Sequence, residues 1–129
     1  MAEVKVPLKH GLKIGETVFK EAVLREATAG DFLQAQEDSE KLVMVPNEEG
    51  KIEPQFIPSP SLMTGHQLRR QLKFIGDVSG PFELDDIHRL HPDDLSLLLA
   101  EQDALLAASI NTLQAVAQSG RPGSDSENG

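Results

Sequence analysis

His88 and His91 stand three residues apart among Asp85, Asp86, Asp93 and Asp94, the densest grouping in the chain of side chains capable of chemistry. Two imidazoles and a carboxylate are a donor set that zinc accepts, and residues i and i+3 of one helix share a face. The local sequence argues against such a site. Pro92 puts His91 at a joint between two helices, no glutamate lies between the histidines to act as a base, and no motif places a third ligand. The aspartate pairs are also better suited to another task. A catalytic carboxyl pair needs one member in an apolar pocket that raises its pKa. Asp85-Asp86 and Asp93-Asp94 sit instead at helix starts, where carboxylates satisfy free N–H groups and complement the helix dipole. Ser61, Thr64 and His66 form no recognisable triad, and neither a G-x-S-x-G elbow nor a glycine-rich phosphate loop is present. The expectation is a protein with no catalytic residues, no metal and no cofactor.

The composition narrows the partners. A chain of 129 residues suggests one small domain with a modest core. Five Phe, no Trp and no Tyr leave Leu and Ala to dominate the apolar set, which favours helix packing over a β-sandwich. Without cysteine there is no disulfide framework, thiolate metal site or cysteine nucleophile. A formal net charge of −9 argues against nucleic acid, whose phosphates need clustered Lys and Arg. Arg69-Arg70 with Lys73 is the one basic cluster, read either as a solubilising face or as a docking face for an acidic partner. No apolar run approaches the roughly 18–20 residues of a membrane span, and residues 1–5 lack the apolar core of a signal peptide. The expected setting is a cytoplasm.

Hydropathy patterning then predicts the elements. Val4, Val6 and Leu8 alternate with charged residues as in a half-buried strand, with turns at His10-Gly11 and Gly15. Residues 17–25 fit a strand or a helical face; the strand is preferred because a lone first strand needs a partner. Thr28 and Asp31 open a helix running to about Leu42, and Val43 to Val45 read as a short strand. Residues 46–60, with four prolines, Asn47 and Gly50, read as a long mobile loop. Thr64 to Gln67 have capping-box spacing for a helix with Leu68, Leu72 and Ile75 on its apolar face, Gly76 at its end, and Arg69, Arg70 and Lys73 on the solvated side. A short helix follows over 83–90, then a long one from Pro92 to about Gln118. Leu95, Leu98, Leu99, Gln102, Leu106, Ile110, Leu113 and Ala117 form one stripe of it, widened by Leu97 and Leu105. The predicted fold is α+β and helix-dominant: an N-terminal β-hairpin followed by about four helices. The domain spans 1–118, and the small, polar residues 119–129 read as a disordered acidic tail.

Two stretches carry a family resemblance. Leu24-Arg25-Glu26-Ala27-Thr28-Ala29-Gly30-Asp31 resembles the LREPTAGD-type segment of small tail assembly chaperones from Mu-like and P2-like tailed phages, with Ala27 in place of the usual proline. The run from Gly80 to Leu90 into His91-Pro92-Asp93-Asp94 resembles the family's short helix and joint before the final helix. Together with the opening strand pair, the resemblance covers about residues 3–107 apart from 46–60.

It implies a non-catalytic scaffolding factor that binds the long, helical tape measure protein and keeps it soluble. The tail tube protein would be a second partner, engaged through a longer frameshifted form, in the host cytoplasm and absent from the mature virion. The alternative is a minor structural subunit retained in the tail. An apolar helix face can shield a long amphipathic chain while acidic charge keeps the complex in solution. The expected partner-binding residues are Leu97, Leu98, Leu105 and Leu106, with Arg69 and Arg70 as charged contacts. Which face of the last helix meets the partner, and whether the chain self-associates, stay open at this level.

Overall fold

A computed structural model describes the backbone over residues 2–119, and the side chains over residues 2–108. Strand β1 (Glu3–Ile14) turns at Gly15, whose φ is 64°, into β2 (Thr17–Arg25), giving the expected N-terminal hairpin. The chain then forms α1 (Ala29–Asp38), β3 (Glu40–Pro46), β4 (Ile52–Pro58), α2 (Pro60–Gln71), β5 (Leu72–Ile75), β6 (Val78–Ser79), α3 (Leu84–His88) and α4 (Pro92–Ser119). An antiparallel sheet of order β1-β2-β5-β6 is covered by helices, while β3 and β4 pair only with each other.

The class is α+β, but helix does not dominate: strand accounts for 38% and helix for 41%. Three local misreadings explain the difference. The four prolines of 46–60 suggest a loop, yet Pro54 and Pro58 lie on β4, opposite Met44 and Glu40. A strand with one free edge tolerates residues that cannot donate. Only 47–51 remain as a turn, built on Asn47, whose side-chain oxygen accepts from the N–H groups of Glu49 and Lys51. Helix α1 stops at Ser39 rather than near Leu42, its charged end giving way to the alternating β3.

The third misreading concerns α2. It begins at Pro60 with Ser59 as its cap, and Thr64 lies inside it, donating its hydroxyl to the Pro60 carbonyl. Proline at the first helical position is the stronger start signal. The helix also ends before Leu72. Leu68 closes its last turn while Leu72 and Ile75 belong to β5, and all three are buried. Gly76, at φ 62°, makes the β5–β6 turn and would not accept a side chain, since a Cβ there collides with the Phe19 ring. The expected turn at His10-Gly11 is a bulge instead. Residues 8–11 of β1 face the single Lys20 of β2, because Pro7 pairs with Glu21 and Leu12 with Phe19.

One core lies between sheet and helices. Val6, Leu8 and Leu12 from β1, Ala22 and Leu24 from β2, Leu68 from α2, Leu72 and Ile75 from β5, and Phe82, Ile87, Leu90 and Leu98 meet in it. Helix α4 packs across β1, and only one stripe of its first half is covered: Leu98 completely, Leu95, Leu99 and Leu105 partly. Ser119, expected in the tail, ends α4. The rest of the expected tail, and the side chains of Ile110, Leu113 and Ala117, lie outside the described residues.

Candidate functional site

The two segments that carry the family resemblance are joints. At the second, the Asp94 side chain is completely buried beneath the β1 bulge. Its Oδ1 accepts the Lys9 N–H at 2.6 Å, and its Oδ2 accepts those of His10 at 3.0 Å and Gly11 at 2.9 Å. Those donors belong to residues that the bulge removes from the β1–β2 ladder, so one carboxylate replaces a missing strand partner. Gly11 can do this at φ 81°, where a side chain would meet the Phe19 carbonyl. The expectation that these aspartates satisfy N–H groups holds for Asp94, although the groups belong to a strand more than eighty residues away rather than to the helix.

The first joint centres on Asp31. It forms the expected capping box with Thr28, each side chain accepting from the other's N–H. Arg25 adds a two-pronged ion pair at 2.6 and 3.0 Å, and the Arg70 Nε donates at 3.2 Å. Burial works to push the Asp31 carboxyl up, but Arg25 and the Thr28 N–H outweigh it and hold it well below the usual carboxylate range. The network continues through Gln71, which donates to the Arg25 carbonyl and accepts from Gln102 of α4. Arg69 is engaged as well, donating to His66 Nδ1, the Phe82 carbonyl and Asp38. Arg69 and Arg70 are partly buried and fasten α2 to α1, rather than lying on the solvated side of the helix. Lys73 does face solvent, paired with Glu3.

The HxxH pair is not assembled. His88 ends α3 and is exposed, whereas His91 stacks on His10 of the β1 bulge, ring centroids 3.5 Å apart and planes at 14°. Asp93 joins them, 3.0 Å from His10 Nε2 and 3.6 Å from His91 Nδ1. The His10 hydrogen bond, with His91 and Lys9 nearby, holds the Asp93 carboxyl below its ordinary range. Sequence spacing assigns His10 only to a turn, because the bulge that brings it to α4 has no signature in spacing.

The remaining candidate surface is apolar. On one face of the β3–β4 arm, Leu42 pairs with Phe56, Met44 with Pro54 and Pro46 with Ile52. Leu42, Met44, Ile52 and Phe56 are 58–69% exposed. The arm is clasped at its base by the Ser59 N–H on the Ser39 carbonyl. Even-numbered apolar residues over 42–46 and 52–56 were the available signal, hidden by the prolines. Of the expected partner-binding leucines, Leu97 and Leu106 are exposed and Leu105 is partly covered. Leu98 is a core residue and unavailable to a partner. Leu105 and Leu106 line a groove of about 410 Å³ between α2 and α4, with Met63, Leu99, Gln67 and Asp103.

These features define a small α+β module whose buried charges lock its own joints and whose apolar arm and groove stand uncovered. The model of the family described as tail assembly protein gp41 matches residues 8–121. The chain is 42% identical over 110 residues to the probable tail assembly protein gp41 of Escherichia phage Mu, covering 80% of this chain and 73% of that one. It is 36% identical over 93 residues to the Mu-like prophage FluMu protein gp41 of Haemophilus influenzae, covering 72% and 70%. A longer Mu relative, the probable tail assembly protein FS-gp41, is also 42% identical over 110 residues, which make up 56% of its length. No solved structure matches the fold. The chain belongs to the gp41 tail assembly protein family.

Proposed function

We propose that this tail assembly protein acts without catalysis as a chaperone for the tape measure protein, binding its long helical chain and keeping it soluble while the tail tube forms. The observation that carries the reading is the β3–β4 arm. A two-stranded hairpin whose one face is apolar beyond Glu40 is marginal in water, and an exposed apolar patch of this kind marks an interaction site. An amphipathic helix laid along Leu42, Met44, Ile52 and Phe56 would bury what the fold leaves bare. The groove at Leu105 and Leu106 offers a second contact, and the net charge of −9 favours solubility of the complex. A longer form that reaches the tail tube protein is part of this reading, the Mu relative FS-gp41 being longer than its matched part. A host cytoplasmic site and absence from the finished particle belong to the same proposal.

The test is capture of the tape measure protein by an affinity-tagged chain carrying Leu42→Thr and Phe56→Thr. Threonine keeps strand propensity while removing apolar area. Capture should fall by about tenfold or more, equivalent to ~1.4 kcal/mol. The melting temperature should change little, since both side chains are exposed in the free protein. Undiminished capture would remove the arm as the binding surface.

A further inference from the structure

We propose that His10, His91 and Asp93 form a binding site for a transition-metal dication of the zinc class, placed where β1 meets α4. Among the described residues these three offer one donor atom each, all within 4.8 Å of one another. Ion–ligand bonds of about 2.0–2.1 Å in tetrahedral geometry set neighbouring ligands about 3.3 Å apart. The separations from Asp93 Oδ2 to His10 Nε2 and to His91 Nδ1, 3.0 and 3.6 Å, bracket that value. Two imidazole nitrogens and one carboxylate oxygen are donors that zinc accepts, and three protein ligands leave one position to water.

The site is held in place from behind. Asp94 fixes the backbone of residues 9–11, so His10 is presented to α4 by three hydrogen bonds to one buried carboxylate. His91 Nδ1 accepts the Asp93 N–H at 3.1 Å and so is the unprotonated nitrogen of that ring, with its lone pair held by this N–H. An ion would take over that lone pair. It would also replace the hydrogen bond between His10 and Asp93, the His10 proton moving to its other ring nitrogen. Because the planes lie only 14° apart, the two in-plane lone pairs run side by side, so the stack must open and one ring swing well out of it before both nitrogens point at one ion, a side-chain rotation open to exposed residues. The consequence is a tie between residues 10 and 91–93 that stiffens the angle at which the long helix leaves the sheet. It is independent of any role of the β3–β4 arm.

Titration calorimetry of the full chain with Zn²⁺ at pH 7.5 tests this. One ion should bind per chain, and a hundredfold excess over Kd should raise the melting temperature by about 5–10 °C. His10→Ala and His91→Ala should each weaken binding by about tenfold or more, and Asp93→Asn should weaken it as well. His88→Ala, at the neighbouring exposed histidine, should leave it unchanged. Melting of each variant without metal shows whether it folds, and Asp93→Asn, nearly isosteric and exposed, keeps the test decisive if an alanine variant does not. Binding should also weaken on acidification, because protons compete for the ligating nitrogens. The absence of saturable binding, or equal losses with His88→Ala, would overturn the site.

Discussion

Replacing Asp94 by alanine should lower the stability of the fold by about 3–5 kcal/mol, the range typical of breaking a buried charge-assisted network. A domain of this size has about 5–15 kcal/mol in total, so the variant should be partly unfolded or close to it. The reason is specific to the bulge. The N–H groups of Lys9, His10 and Gly11 share one buried carboxylate, and alanine leaves all three without an acceptor. Asp94→Asn should recover part of the loss, because its single side-chain oxygen can serve some of those donors while its NH₂ group meets others head-on. Asp93, exposed and one residue away, is the control: Asp93→Ala should leave the stability little changed. Urea unfolding followed by circular dichroism measures all three. A cost below about 1 kcal/mol for Asp94→Ala would mean that water or a shifted backbone serves the bulge instead.

The second large effect belongs to Asp31. Asp31→Ala should cost about 3 kcal/mol, since it removes the carboxylate that accepts the Thr28 N–H in the capping box and that Arg25 and Arg70 share. The arginines are partly exposed and can turn to solvent, which keeps the cost below that of Asp94. The same group sets a pH dependence. Its carboxyl is depressed in the folded state and ordinary, near about 3.9, in the unfolded chain. A depressed carboxyl contributes stability that is fully present above the unfolded pKa and is lost as pH falls towards the folded one. The wild-type melting temperature should therefore fall below about pH 4, and the gap to Asp31→Asn, which does not titrate there, should narrow. A gap that stays constant from pH 7 to pH 2.5 would show that the charge of Asp31 contributes nothing.

Both residues lie in the segments that resemble the family, and their roles explain why those segments are recognisable. Leu24, Arg25, Thr28 and Asp31 pack, pair and cap where β2 passes into α1. Where α3 passes into α4, Leu90 packs into the core, Pro92 opens the helix and Asp94 ties its first turn to β1. Such joints are legible in sequence because caps and first-turn residues act over three or four positions. The N-terminal hairpin, α3 and α4 were legible for the same reason, from alternation or helical spacing within one window.

What was not legible depended on partners distant in sequence. Nothing near Asp94 announces that its carboxylate will serve a bulge more than eighty residues earlier, or that His91 will stack on His10 rather than converge with His88. Arg69 and Arg70 read as solvated because their acceptors, Asp38 and Asp31, lie on another helix. Leu98 read as available because a broad leucine stripe does not say which of its members the sheet covers. The β3–β4 arm was hidden differently. Its prolines break central strands but suit a free edge, and only the pairing of Leu42 with Phe56 reveals them as one face.

The central claim, that this tail assembly protein shields a long helical partner, is tested most directly by co-expression with the tape measure protein, followed by affinity capture and size-exclusion chromatography with light scattering. The expected result is a soluble complex of fixed stoichiometry, with the tape measure protein insoluble when expressed alone. An uncomplexed chain beside an equally soluble tape measure protein would contradict it.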